Sequence, residues 1–276
     1  MKMPASEMPV LFDRVALAAH RSRANGEAFF LHHFAVDEVQ DRLAMVNRTF
    51  KTAAVVTAFP EPWQSMMPEA QIVADDDVLA FEPESNDLII HAMALHWAND
   101  PVGQLIQCRR ALRPDGLLIA LCLGGDTLHQ LRAVLSQAEV EVTGGLSPRI
   151  APMGEIRDLG ALLQRAGFAL PVADSAPLTA TYSDLRHLML DLRAMGETNA
   201  MLERPRRFTR KSVFSRAQDL YSEHFAQADG RLEATFEIIC LTGWAPHENQ
   251  PKPLRPGSAQ ARLAEALGTD ETKLTD

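Results

Sequence analysis

The chain has 276 residues, of which 46% are hydrophobic, and it can bury the core of one α/β domain with appendages or of two small domains. Its formal net charge of −9 at pH 7 argues against a broad electrostatic attraction to nucleic acid or anionic lipid. Proteins and small molecules are therefore the expected partners.

Cysteine spacing and apolar runs restrict the class of protein further. Cys108, Cys122 and Cys240 lack the CxxC spacing of a zinc cluster and do not suggest a disulfide framework, so we expect buried free thiols in a reducing compartment. The longest apolar runs, such as 117–123, are strand-sized, and no secretory apolar stretch stands near the start. We expect a cytoplasmic protein with no transmembrane helix and no metal site.

The first part of the chain predicts a helical lead-in followed by short strands. Residues 1–50 are mostly compatible with helix, and residues 53–58 lean towards β-structure. The two prolines within 59–63 predict that the first strand is followed by an irregular loop. Buried strands are expected at 71–74 and 88–90.

The next elements predict an α/β fold. A helix over 101–112 carries arginines in its last turn, Pro114-Asp115-Gly116 ends it, and a strand follows at 117–123. Strand, helix, strand in that order implies a mostly parallel Rossmann-like sheet with helices on both faces. The remaining predicted elements are helices at 128–135, 158–166, 183–195 and 210–225, strands at 168–172 and 236–244, and a short helix at 259–267.

These elements divide the chain into three parts. Residues 1–50 form the lead-in, and residues 51–245 form the α/β domain, with a helical insertion at about 183–225. Residues 246–276 are expected to form a loosely held tail.

Several short motifs are distinctive when they are taken together. They are Leu95-His96-Trp97-Ala98-Asn99-Asp100, Leu112-Arg113-Pro114-Asp115-Gly116, Gly124-Gly125-Asp126-Thr127-Leu128, Gly144-Gly145-Leu146-Ser147-Pro148, Asp158-Leu159-Gly160, Arg165-Ala166-Gly167-Phe168, Met195-Gly196-Glu197-Thr198-Asn199, Gly243-Trp244 and His247-Glu248. The chain thereby resembles, over most of its length, the complex I assembly-factor branch of class I S-adenosylmethionine-dependent methyltransferases. It is also similar to the biotin-pathway malonyl-carrier methyltransferases.

The resemblance implies a sheet that binds S-adenosylmethionine at the carboxyl ends of its first strands. The best-known eukaryotic relatives resemble arginine hydroxylases that act on an iron-sulfur subunit of complex I. A protein client, such as a complex I subunit, is therefore the implied partner. Methyl transfer does not follow from the fold alone.

The cofactor loop departs from the family pattern. Relatives carry D-L-G-C-G-x-G after the first strand, because a glycine turn lets backbone amides approach the cofactor. This chain reads Val56-Thr57-Ala58-Phe59-Pro60-Glu61-Pro62 there, and it has no glycine between Gly26 and Gly103. The interval 59–70 is too short for the helix and second strand of the relatives, which predicts that one βα unit is missing.

Should S-adenosylmethionine bind, the resemblance assigns its contacts to Asp75, Asp76 and Ala92. The alternative for the two acids is a solvated acidic loop. Phe59 and Trp63 stand where glycines are expected, and we hypothesise that they plug the vacated pocket. The cofactor is then bound weakly or not at all.

Catalytic candidates follow two of the strands. His96 and Trp97 come after the strand at 88–90, where a histidine could act as general base near neutral pH, although both could simply pack a helix onto the sheet. Asp126 is the third candidate, with a helix N-cap as the alternative. The amides around Gly124, Gly125 and Thr127 could receive an anion or a substrate carbonyl.

Three further groups have weaker signals. Glu197 and Asn199 could contact a peptide substrate or could only end a helix. His32 and His33 lie on different faces of a helix, are poorly placed to chelate one metal, and are interpreted as surface residues. A basic cluster could dock an acidic partner or a membrane surface, or could be a solvated loop. Its members are Arg204, Arg206, Arg207, Arg210 and Lys211.

Three functions compete. One is an enzyme that uses S-adenosylmethionine on a protein or small substrate, with His96, Trp97 and Asp126 around the reacting atoms. Another is a non-catalytic assembly factor that keeps the client-facing motifs without the cofactor. Hydroxylation with a different cofactor ranks last, because the sequence lacks facial His-His-carboxylate spacing. We favour the assembly factor, because it explains both the retained motifs and the missing glycines.

Overall fold

A single mixed sheet organises the computed structural model, which describes residues 10–251. Its strands are β1 (Ala53–Val56), β2 (Gln71–Val73), β3 (Asn86–Ala92), β4 (Leu112–Leu123), β5 (Ala169–Tyr182) and β6 (Leu232–Trp244). The order across the sheet is β2-β1-β3-β4-β6-β5. The first four strands pair in parallel, and β6 is antiparallel to both β4 and β5. The predicted Rossmann-like, mostly parallel sheet is confirmed.

Helices cover both faces of this sheet. They are α1 (Arg14–Arg21), α2 (Phe30–Met45), α3 (Pro60–Met66), α4 (Pro101–Ala111), α5 (His129–Thr143), α6 (Ile156–Arg165), α7 (Leu185–Ala194) and α8 (Lys211–Phe225). Successive strand side chains point to opposite faces. Val55 and Ile90 therefore pack with α2, α3, α5, α7 and α8, whereas Ala54 and Ile89 pack with α4 and α6. None of the helices in the described part is long and apolar enough to cross a membrane.

The segment after β1 differs from the prediction. An irregular loop was expected at 59–63, but the chain forms α3 from Pro60 onwards. Proline fits the first turn of a helix, where its missing N–H would have no intrahelical partner. The chain then enters β2, which pairs directly with β1 through Val55 and Ile72. The interval holds one short helix and no strand, as its length predicted.

The strands β3, β4, β5 and β6 all extend beyond their predicted bounds, β4 and β5 the furthest. β4 begins at Leu112, so that the predicted turn 114–116 lies within its irregular start, where the register with β3 shifts and Asp115 has a φ of 63°. β5 continues to Tyr182 because it stays paired with β6 along its length. The division into lead-in, α/β domain and tail remains a prediction, and the helix expected at 259–267 lies outside the described residues.

The lead-in crosses the end of the sheet where the parallel strands finish. The amide of Asp13 donates to the carbonyl of Ala200 at 2.8 Å, and the amide of Asn25 donates to the carbonyl of Ala194 at 2.8 Å. The side-chain oxygen of Asn99 accepts from the amide of Phe12 at 2.8 Å. The lead-in therefore holds together the segments that follow β3 and α7.

The three cysteines are buried and free, as predicted. Burial raises the pKa of Cys108 to about 12, so this thiol stays protonated at neutral pH.

Candidate functional site

Aromatic side chains fill the edge of the sheet where the relatives would bind a cofactor. Phe59 is nearly buried and Trp63 is completely buried. The ring of Phe59 lies 4.6 Å from that of Phe29 and 5.2 Å from that of His32, measured between centroids. A cavity lined by Phe29, His32 and Met93 has a volume of about 10 Å³, about the size of one water molecule. We call the buried group of Phe29, His32, Phe59 and Trp63 the aromatic plug, and its replacement of a cofactor stays a hypothesis.

His32 belongs to this buried group, and its interpretation as a surface residue is wrong. Its Nδ1 lies 3.3 Å from the indole nitrogen of Trp63, which donates to it. Burial lowers the pKa of His32 to about 4, so the ring is neutral at pH 7. His33, its neighbour, is exposed. The helix thus separates the two rings, and within residues 10–251 no three His, Cys, Asp or Glu side chains are grouped closely enough to hold a metal ion.

Asp75 is also buried, which contradicts the solvated-loop interpretation for this residue. Both of its carboxylate oxygens accept from Nη1 of Arg21 at 2.9 Å, and Nη1 of Arg14 lies 3.5 Å from Oδ2. Asp76 is exposed and lies 3.9 Å from Nη2 of Arg14. The carboxylate predicted to serve a cofactor is therefore neutralised by arginines of the lead-in.

Ala92, the third predicted cofactor residue, ends β3. It is buried in the apolar core that includes α2 and pairs with Leu121 of β4. Its side chain packs inside the protein, on the same face as Trp63.

A cavity of about 320 Å³ lies beside the plug, between the sheet and the helices α5, α7 and α8. Most of its lining is apolar, with Leu31, Leu131 and Phe236 as examples. Trp97, Glu197 and Asn199, which were predicted from separate motifs, meet in its wall. Polar lining residues also include Arg149, Thr198, Arg204 and Thr209.

Glu197 connects the two catalytic candidates. Its Oε2 accepts from the indole nitrogen of Trp97 at 2.8 Å and lies 3.2 Å from Nε2 of His96. His96 also accepts, at Nδ1, from the amide of Leu123 at 3.4 Å. Burial opposes ionisation of Glu197, but the nearby His96, Arg21 and the Trp97 hydrogen bond outweigh it and lower the pKa of its carboxyl. The cavity wall thus carries an ionised carboxylate.

The segment after α7 ends that helix, and contact of Glu197 with a peptide substrate stays a prediction. Gly196 has a φ of +81°, its amide donates to the carbonyl of Arg193, and the amide of Glu197 donates to the carbonyl of Leu192. This pair of bonds is the Schellman helix ending. The helix terminus therefore places the Glu197 side chain beside His96.

Asn199 has its side chain largely engaged by the protein. Its Nδ2 donates to the carbonyl of Pro148 at 2.8 Å, and its Oδ1 accepts from the amide of Met201 at 2.9 Å. It orders the wall of the cavity, and direct contact with a client remains a prediction.

The segment 124–128 does not present free amides in this conformation. Gly124 donates to the carbonyl of Glu237 at 2.8 Å, Gly125 to that of Gly154 at 3.1 Å, Thr127 to that of Gly124 at 3.0 Å and Leu128 to that of Thr235 at 2.7 Å. Asp126 donates through its amide to Oε2 of Glu237 at 3.0 Å. The expectation that these amides await a ligand is therefore not met in this structure.

The two glycines accommodate side chains of the protein itself. A Cβ atom on Gly124 would lie 2.4 Å from a carboxylate oxygen of Glu237, and one on Gly125 would lie 2.3 Å from a carboxylate oxygen of Glu155. Asp126 is exposed and does not cap α5, whose N-cap is Leu128 with no side-chain hydrogen bond. The N-cap prediction is wrong, and Asp126 does not line the cavity with Trp97.

The structure adds residues that the sequence did not single out. Arg14 and Arg21 lie more than fifty positions before Asp75, and nothing in their local pattern indicates the pairing. Arg149 lines the cavity and donates from Nη2 to Oε1 of buried Glu139 at 2.6 Å. Only the motif Gly144 to Pro148, which precedes Arg149, marked this region.

Comparison with known proteins agrees with the fold and the motifs. The sequence model of the family described as "Methyltransferase domain" matches residues 34–120. The protein named arginine-hydroxylase NDUFAF5, mitochondrial, from Danio rerio is 35% identical over 221 residues, which are 80% of this chain and 68% of that protein. Its namesake from Dictyostelium discoideum is 41% identical over 196 residues, which are 71% of this chain and 45% of that protein.

A second group of relatives also matches the prediction. The malonyl-[acyl-carrier protein] O-methyltransferase of Laribacter hongkongensis is 34% identical over 188 residues, which are 68% of this chain and 61% of that protein. The chain spans between 45% and 68% of the length of these three relatives. It belongs to the arginine-hydroxylase NDUFAF5 family of the class I S-adenosylmethionine-dependent methyltransferase superfamily, the branch predicted from its motifs.

Proposed function

We propose that this protein is a non-catalytic assembly-type factor that binds a protein client and does not use S-adenosylmethionine. The observation that carries the proposal is the buried aromatic group of Phe29, His32, Phe59 and Trp63 at the carboxyl end of β1. A nucleoside needs a glycine turn and an open pocket at this edge. Here the segment after β1 has no glycine, and packed rings stand in its place, with Phe59 against Phe29 and His32.

The electrostatics support the same proposal. Asp75 already pairs with Arg21 and Arg14, so a ribose or adenine group would have to displace an ion pair before it could use this carboxylate. Breaking a buried ion pair leaves a charge without its partner and costs free energy. We therefore expect no competitive cofactor site at Asp75.

The cavity between the sheet and the helices α5, α7 and α8 supports a binding role. Trp97, Glu197 and Asn199 line a cavity of about 320 Å³, a volume at the lower end of ligand-binding pockets. The relatives are named arginine-hydroxylases, and the resemblance points to a complex I subunit as the client. Cytoplasmic location remains a prediction. Those two relatives are named as mitochondrial proteins, so they do not support it.

The deciding experiment is isothermal titration of the full chain with S-adenosylmethionine and with S-adenosylhomocysteine. The Laribacter relative, titrated under the same conditions, is the positive control. We expect no heat of binding from this protein at millimolar ligand. Saturable binding of either ligand in the micromolar range would overturn the proposal.

An active enzyme is the alternative function, and one observation favours it. His96 and Trp97 hold the Glu197 carboxylate in the cavity wall, an arrangement in which Glu197 could accept a proton from a substrate. Incubation with an iron-sulfur subunit of complex I, with S-adenosylmethionine as methyl donor and with dioxygen and a two-electron reductant as oxygen source, followed by mass spectrometry, tests it. A gain of one methyl group or one oxygen on the subunit, lost in His96→Gln, would establish an enzyme. An unmodified subunit that still binds the chain would support the assembly role.

A further inference from the structure

Residues 202–211 combine positive charge with exposed apolar surface. The segment reads Leu-Glu-Arg-Pro-Arg-Arg-Phe-Thr-Arg-Lys, with five basic residues and one acidic residue in a chain of net charge −9. Phe208 is fully exposed, and Leu202 is 41% exposed. The combination of an exposed aromatic ring with clustered basic side chains, and not the exposed ring alone, makes this segment a candidate contact surface.

The charges on this segment are mostly uncompensated. Arg204 pairs with Asp13 at 3.0 Å, and Arg206 lies 3.8 Å from the same carboxylate. Arg207, Arg210 and Lys211 are exposed and form no ion pair with any residue from 10 to 251. The positive potential therefore remains available to an external anionic partner.

The lead-in holds this segment in place and adds apolar surface to it. The amide of Leu202 donates to the carbonyl of Leu11 at 2.9 Å, and Leu11 is 42% exposed. Arg204, Pro205 and Thr209 line the 320 Å³ cavity from the other side. The same ten residues thus form part of the cavity wall and carry Phe208 on the surface.

We propose that residues 202–211 dock this protein on the surface of an anionic lipid bilayer, with Phe208 inserted at the interface. Clustered Lys and Arg are attracted to anionic headgroups, and an adjacent aromatic side chain adds apolar burial in the interfacial region. A lipid surface is favoured over a protein partner because a bilayer interface takes up a protruding aromatic ring beside clustered cations without a groove of matching shape. The attraction between the basic segment and anionic headgroups acts over a short distance, so it can occur although the whole chain has a net charge of −9. Docking would bring the cavity wall formed by Arg204 and Thr209 to the bilayer.

Co-sedimentation of the full chain with vesicles tests this proposal. One set contains equal amounts of phosphatidylcholine and phosphatidylglycerol, and the other contains phosphatidylcholine alone. We expect binding to the first set only, and weaker binding as salt is raised. The double variant Arg207→Glu with Arg210→Glu should abolish it, while the matched control Arg157→Glu with Arg165→Glu on α6 should bind as the wild type does.

The apolar contribution needs its own variants. Phe208→Ala should weaken vesicle binding about tenfold, because the interface loses one inserted aromatic ring. Val78→Ala, at another strongly exposed apolar position, should leave binding unchanged. In Phe208→Trp, vesicles with phosphatidylglycerol should shift the tryptophan emission to shorter wavelength beyond any shift in the wild type.

Circular dichroism of each variant establishes that it is folded before binding is compared. Equal binding of the wild type to both sets of vesicles, or no binding to either, overturns the proposal. Binding to poly-glutamate that is lost in the 207/210 variant, without vesicle binding, would assign the segment to an acidic protein instead. Vesicle binding and S-adenosylmethionine binding are separate measurements, so the failure of one proposal can be told apart from the failure of the other.

Discussion

The indole nitrogen of Trp97 donates to Oε2 of Glu197 at 2.8 Å, across 100 positions of the chain. The same oxygen lies 3.2 Å from Nε2 of His96. One carboxylate therefore fixes two side chains that follow β3 to the segment that follows α7. This connection joins the parallel half of the sheet to the helical insertion and forms one wall of the cavity.

Replacement of Glu197 by alanine should destabilise the protein by about 2 kcal/mol, because the buried indole N–H of Trp97 loses its acceptor. Glu197→Gln should cost less, since an amide oxygen can still accept that bond. Urea unfolding at neutral pH measures the difference. Glu203→Ala removes an exposed carboxylate and should change the free energy of unfolding by about 0.5 kcal/mol or less. Equal effects of the two alanine variants would contradict the assigned role of Glu197.

The ion pair between Asp75 and Arg21 predicts a contrast between two adjacent acids. Asp75→Asn keeps the shape of the side chain but leaves the arginines without their negative partner, so it should destabilise the protein by about 3 kcal/mol. Asp76→Asn changes a side chain that is 76% exposed and should have an effect below about 1 kcal/mol.

Chemical unfolding and limited proteolysis of the lead-in together test this contrast. Loss of the Asp75 charge should expose the region around Arg21 to cleavage, and loss of the Asp76 charge should not. Unchanged protection of the lead-in in Asp75→Asn would show that its backbone contacts, such as that of Asn25 with Ala194, hold it without the ion pair.

The fold could largely be predicted, because its signals are local. The apolar run 117–123 and the helix that starts at Pro101 after the cap Asp100 were placed correctly from residue type and spacing. The helix at 60–66 does not follow from the sequence alone, because proline both interrupts regular structure and favours the first turn of a helix. The full length of β5 could not be predicted, because its partner β6 lies far along the chain and determines where pairing ends.

The candidate site could be predicted only in pieces. His96, Trp97, Glu197 and Asn199 were each selected from motifs, but their meeting depends on the helix ending at Gly196 and on the packing of the lead-in. Asp126 shares a motif with the glycines at 124 and 125, yet it is exposed at the surface. Motifs indicate which residues matter to a family, whereas the tertiary contacts decide which of them meet.

The burial of His32 predicts a dependence of stability on pH. The pKa of His32 is about 4 in the folded protein and about 6.5 in the unfolded chain, so only the unfolded chain takes up a proton between these values. The stability gained from burying the neutral His32 ring is fully present above pH 6.5, and it is lost as the pH falls towards 4. Between about pH 7.5 and pH 5 the loss should be about 2 kcal/mol.

Variants of the two adjacent histidines isolate this effect. His32→Gln keeps an acceptor for Trp63 but does not titrate, so its stability should change less over this pH range than that of the wild type. His33→Gln replaces an exposed ring and should keep the wild-type slope. Urea unfolding at the two pH values provides the comparison. A wild-type slope in His32→Gln would mean that another group causes the dependence.

Gly196 and Gly144 have similar backbone angles but different surroundings. Comparing an alanine variant at each position therefore separates the cost of backbone strain from the cost of crowding Phe59. Gly196 has a φ of +81°, and a Cβ atom there would lie 3.0 Å from Cζ of Phe59. Gly144 has a φ of +75° with nothing within 4 Å of the corresponding position. Alanine at either site is strained by about 1 kcal/mol, and at Gly196 it also has to displace Phe59. We expect Gly196→Ala to destabilise the protein by about 2 to 3 kcal/mol and Gly144→Ala by about 1 kcal/mol in urea unfolding. Equal losses would show that Phe59 moves aside freely, and the aromatic plug would then be too loosely packed to keep a cofactor out.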